Sequence, residues 1–108
     1  MSTNKEIAII GVGMHPWGKW GKNFVEYGVV AARAALKDAG INWRDVGFVS
    51  GAATIRNGYP GQVAGATFAQ ALGWQGAQVN TSYAACASRS QALAAARSTI
   101  IPAETDVA

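Results

Sequence analysis

The chain has 108 residues, half of them apolar and only 14% charged, which bounds it to one small domain with a core and excludes a disordered tail. Nine basic residues outweigh six acidic ones for a net charge of +3, yet the basic residues are scattered from Lys5 to Arg97 and never form a run. A nucleic-acid partner is therefore not expected.

Gly and Ala are abundant, a composition that suits tight packing of helices on a sheet within something larger more than a heavily solvated surface. The first apolar run, residues 7–10, is far shorter than a signal-peptide core or a membrane span. A cytoplasmic location without membrane insertion is the expectation. The single cysteine, Cys86, cannot form an intrachain disulfide.

Ile7, Ala8, Ile9, Ile10 and Val12 form a nearly continuous apolar stretch closed by Gly11 and Gly13, the pattern of a strand buried on both faces of a parallel sheet. Glycines and Pro16 then break any periodicity over residues 14–22, where Trp17, Lys19, Trp20 and Lys22 crowd together. Two readings of that cluster stay open: an ordered loop whose indoles cover the core, or a contact with a ligand or partner. Asn23 has the character of an N-cap, Glu26 stands where a capping box is completed, and Gly40 marks a stop. Between them Val25, Val29, Ala32, Leu36 and Ala39 make one apolar stripe, predicting a helix packed on a sheet.

Residues 46–50 read as a second buried strand, 51–59 as a loop, and 60–72 as a helix with Pro60 in its first turn and Gly73 at its exit. A third strand is expected at 77–81, then a polar turn at Ser82 and Tyr83, and an Ala-rich helix over about 85–99. Pro102 ends that helix, and Asp106, Val107 and Ala108 have the character of the start of a further strand. Strand–helix repeated three times predicts an α/β layer on a largely parallel sheet. One domain, incomplete at its C-terminal end, is expected.

Several chemical readings fail on residue detail. Gly11 and Gly13 follow a strand as in a dinucleotide fingerprint, but position 16 is Pro rather than a third glycine, and the helix begins too late. One His and one Cys are too few for a soft-ligand metal cluster, and His15 alone is more often structural than catalytic. Cys86 stands apart because it falls where the third strand turns into a helix. Free N–H groups and the helix dipole at such a junction favour an anionic sulfur. The competing reading is a small buried hydrophobe among alanines.

The segment Val79-Asn80-Thr81-Ser82-Tyr83-Ala84-Ala85-Cys86-Ala87-Ser88-Arg89-Ser90-Gln91-Ala92-Leu93 resembles the nucleophile segment of the thiolase family, in which a strand leads into Cys, small residues, Gly, Ser and Ala-Leu. The opening Ile-Ile-Gly-Val-Gly, the helix end Ala-Leu-Lys-Asp-Ala-Gly-Ile and the strand at 46–51 are similar to the same family's N-terminal half, so the likeness spans nearly the whole chain. It is nearest to the lipid-transfer-protein or sterol-carrier-protein thiolase-like branch. The resemblance implies a thiolase-like α/β fold, here the first three strand–helix pairs of a βαβαβαββ layer. It also implies a role in lipid metabolism as an acyltransferase, with a coenzyme A thioester as substrate and no other cofactor. Cys86 then carries the acyl group during Claisen or retro-Claisen chemistry.

Relatives in the lipid-transfer branch imply two alternatives: a retro-aldolase working with an OB-fold partner, or a non-catalytic acyl-CoA or lipid binding module. The family normally dimerises, so a homodimer or hetero-oligomer is implied, and its other catalytic groups lie in later parts of its chain. Arg89 departs from the family's usual Gly. On a helical wheel it shares a face with Leu93, Ala96 and Ile100, where burying a guanidinium costs several kcal/mol unless it is paired or reaches solvent.

Overall fold

A computed structural model describes residues 6–53 and 64–108. Helix α1 (Phe24–Ala39) starts where the sequence indicates, with Asn23 Oδ1 accepting the Glu26 backbone N–H at 2.9 Å. It stops at Gly40, whose φ of 72° is left-handed. Gly40 N–H donates to Lys37 O and Ile41 N–H to Leu36 O, each at 3.2 Å, which closes the last turn in a Schellman motif. A 3-10 turn, Trp43–Asp45, follows; Asp45 Oδ2 accepts the Asn42 N–H at 2.9 Å. Then come strand β1 (Phe48–Ala52), helix α2 (Ala64–Leu72), strand β2 (Gln78–Ser82), a second 3-10 turn (Ala85–Ala87) and helix α3 (Ser88–Ile100).

The two strands pair in parallel, Phe48 opposite Gln78 through Ala52 opposite Ser82, so the domain is a small mixed α/β unit. Side chains alternate across a strand, and the partners of neighbouring residues separate the two faces. Gly51 and Thr81 meet α2: the position a Gly51 Cβ would take lies 2.5 Å from Gly65 Cα, and Thr81 Oγ1 accepts the Gly65 N–H at 2.8 Å. Ser50 points the other way and donates from Oγ to Ala92 O of α3 at 2.6 Å. Helix α1 covers α2, where Phe24 and Phe68 stack edge to face at 5.5 Å and Gly28 leaves room for the Phe68 ring. Trp43 Nε1 donates to Gly73 O, and Gln75 Nε2 to Trp43 O and Val46 O, all at 2.7 Å, pinning together the exits of α1 and α2.

Residues 7–12, expected as the first strand, form no strand. They run extended along α1, with Gly11 so close to the helix that a Cβ there would lie 2.7 Å from Ala39 Cβ. Val12 N–H donates to Asp38 Oδ2 at 3.0 Å rather than to a ladder. The expectation of burial on both faces also fails, since Ile9 and Ile10 are 72% and 55% exposed. A continuous apolar run signals an extended, hydrophobic segment; it does not specify whether a sheet edge or a helix receives it. The strand–helix order expected at the start is thus corrected to helix–strand–helix–strand–helix after an extended lead.

The other two strands lie one to two residues later than expected. The expected start of the second helix, 60–63, lies outside the described residues, and the helix end at Leu72 matches. At the C-terminal end, residues 106–108 form no strand, although Val107 O accepts the Gly47 N–H at 2.9 Å beside the entry to β1. Among the described residues no helix is long and apolar enough to cross a membrane.

The contact of α2 with the sheet leaves no space for a side chain at Gly65, whose Cβ would meet the backbone carbonyl of Asn80. Gly65→Ala is expected to destabilise the domain by about 1–3 kcal/mol through forced separation of helix and sheet. A lowered denaturant midpoint in a urea titration checks this.

Candidate functional site

Strand β2 ends at Ser82, and within six residues the chain has reversed into α3. So tight a reversal needs unusual dihedrals. Ala84 has φ −149° and ψ 45°, and Ala85 sits at φ 48°, in the left-handed region that a residue with a Cβ seldom occupies. Cys86 follows, in the middle of the 3-10 turn, with an exposed free thiol. The helix proper begins two residues beyond it rather than at position 85 as expected.

Ser88 fastens this elbow. Its side chain is buried, its Oγ accepts the Ala84 N–H at 2.9 Å, and the hydroxyl donates to Ala85 O at 2.7 Å. Ala87 N–H returns to Ala84 O at 2.9 Å. One serine thus uses both its donor and an acceptor lone pair to hold Ala84 and the left-handed Ala85 that precede the cysteine. Reading of the sequence passed over Ser88; the available signal was a serine four residues after the first of two small residues, the spacing of a hydroxyl closing a tight turn.

With the neighbouring amides so engaged, the Cys86 N–H makes no hydrogen bond among the described residues.

Arg89 is not where the helical wheel placed it. The buried face of α3 is formed by Ser88 and Ala92, while Arg89 is exposed and Leu93, on its face, is 62% exposed. The guanidinium reaches water, so the burial cost attached to it does not arise. Nor does the structure bring His15 to the cysteine. His15 lies half-buried in the loop ahead of α1, edge to face with Tyr27 at 4.6 Å and Trp20 at 5.6 Å. Its Nδ1 bonds Pro16 O at 2.8 Å and its Nε2 lies 3.4 Å from Lys22 Nζ. The pairing fits a tautomer with the proton on Nδ1 and Nε2 accepting from the ammonium, a loop-bracing role.

A cleft of about 740 Å³ is lined by no residue of the elbow itself. It runs between residues 7–11 and α1 on one side and β1 with the later part of α3 on the other, and Leu93 is its point nearest to Cys86 in sequence. The chain matches no protein-family model, no curated protein and no solved structure. The chemistry of the elbow therefore rests on its own geometry and on the likeness of its sequence.

Replacing Ser88 by Ala leaves the Ala84 N–H without its partner, at an expected cost of about 1–3 kcal/mol, and frees the left-handed Ala85 to relax. The check is twofold: a lower melting temperature, and an altered rate of Cys86 modification by a small disulfide reagent under conditions where the variant remains folded.

Proposed function

We propose that the chain carries the nucleophile segment of a thiolase-like acyltransferase, in which Cys86 accepts an acyl group from a coenzyme A thioester. The observation that supports this reading most is the placement of Cys86, an exposed thiol on a strand-to-helix elbow fastened by Ser88. That is the geometry a thioester carbonyl requires: a nucleophile reachable from solvent, held by its backbone rather than by a mobile loop.

In the proposed step the Cys86 sulfur, as thiolate, attacks the thioester carbonyl carbon and the carbonyl oxygen takes negative charge. Collapse of the tetrahedral adduct breaks the bond to the coenzyme A sulfur. The acyl group remains on Cys86, and the proton lost from the cysteine ends on the coenzyme A thiol. Arg89, exposed three residues later in the chain, adds positive charge that would favour a polyanionic substrate.

The condensation or cleavage that follows in a thiolase needs an acid–base group beside the thioester. Among the described residues Cys86 has no side-chain hydrogen-bond partner, and His15 is engaged in its own loop. That observation favours a second reading, a module that binds acyl-CoA or lipid without turning it over, and it leaves Claisen and retro-aldol chemistry as equal extensions of the first. A homodimer or a hetero-oligomer remains part of the proposal for either.

Incubation of the folded chain with an acyl-CoA, followed by intact-mass and peptide mass spectrometry, separates the two. The first reading expects an acyl adduct on Cys86, reversed by hydroxylamine and missing from Cys86→Ala. Binding of acyl-CoA without an adduct supports the second, and neither adduct nor binding removes both.

A further inference from the structure

The loop between the extended lead and α1 was left open by its sequence, and its structure separates the two indoles by role. Trp20 turns inward: its Nε1 donates to Pro16 O at 2.9 Å and its ring meets His15 edge to face. Lys22 N–H bonds Tyr27 Oη at 3.3 Å, and Lys22 Nζ reaches His15 Nε2. These contacts tie both ends of the loop to its own base and to the first turn of α1. Trp17, between them, is 89% exposed, and Met14 and Val12 are exposed beside it in sequence. The loop is braced so as to present these side chains to the outside, at the hydration cost that exposed apolar groups carry.

The loop itself carries charge of one sign, while Glu6 and Glu26 bracket it in sequence and the Asp38 carboxylate is held by the Val12 N–H at 3.0 Å. Lys19 and Lys22 lie within the loop, and no Asp or Glu occurs anywhere from residue 7 to residue 25, in a chain whose net charge is already +3. An exposed Trp and Met on a braced loop that also carries Lys19 and Lys22 match the chemistry of an anionic bilayer surface. Indole and thioether settle at the headgroup boundary, and each ammonium pairs with lipid phosphate. The whole molecule's positive field adds to the attraction.

We infer that this loop is a peripheral docking surface for anionic phospholipid membranes, with Trp17 as its interfacial anchor and Lys19 as a headgroup contact. The surface shares no residue with the Cys86 elbow, and the inference stands or falls independently of the acyl-transfer reading.

Flotation of the full chain with phosphatidylcholine vesicles, alone or containing phosphatidylglycerol, tests it, with Trp fluorescence as a second readout. The expected result is flotation with the anionic vesicles only, accompanied by a blue shift and reversed by high salt. Trp17→Ala and Lys19→Glu should each weaken binding by about fivefold or more, from loss of one interfacial indole or one lysine contact. Both residues are exposed, so a circular dichroism spectrum and melting temperature equal to those of the parent should accompany the loss. Absence of flotation, equal flotation with neutral vesicles, or binding unchanged in both variants would overturn the inference. So would Trp17-dependent self-association without lipid, which would make the loop a protein interface instead.

Discussion

Everything in this small domain is positioned by the approach of α2 to the parallel strands at Gly51 and Gly65. Two residues without side chains face one another there, so helix backbone rests almost on strand backbone, and Thr81 Oγ1 takes up the Gly65 N–H at the same point. A side chain on either residue would hold the layers apart. Close seating matters because the described residues form a sheet of two strands, and a pair of strands needs a packed face to be stable. The other face is held by a different device, the Ser50 hydroxyl reaching Ala92 O. Strands fixed from both sides deliver the end of β2, and with it Cys86, to a definite place.

At that place local strain and local hydrogen bonding balance. Ala85 at φ 48° is costly for an alanine, and Ser88 supplies two hydrogen bonds that keep it there. The thiol lies at the surface at the foot of α3, as do Ala84, Ala85 and Ala87 around it. The cleft of about 740 Å³, in contrast, is an apolar space between the extended lead and the sheet whose lining does not include the thiol, and its size alone does not make it the seat of the chemistry.

Much of this was legible in the sequence where a single local interaction decides the outcome. Asn23 and Gly40 bound α1 because a cap acts through its immediate neighbours, and Gly73 follows α2 for the same kind of reason. The junction at Cys86 was legible because a strand pattern gave way to an Ala-rich one. Features that depend on which surface receives a segment were not. Residues 7–12 have a strand's composition but lie on α1, since Gly11 fits against Ala35 and Ala39 as well as glycine fits a sheet. Arg89 was assigned to a buried face because a helical wheel gives relative angles, and only packing decides that Ser88 and Ala92 face inward. Ser88 itself was hidden because its partners, Ala84 and Ala85, interact through backbone atoms that every residue has.

The thiolase-like reading makes Cys86 a nucleophile because of where the fold puts it, and not merely because it is exposed. The most direct measurement is the rate of Cys86 alkylation by iodoacetamide at neutral pH in the folded chain, compared with the same chain unfolded in urea and corrected with a small thiol in each solvent. A rate in the folded chain at least several times that of the unfolded chain is the expected result, since the fastened elbow holds the exposed thiol on a fixed backbone. A folded chain that reacts no faster than the unfolded one would contradict it and leave Cys86 as an ordinary surface thiol.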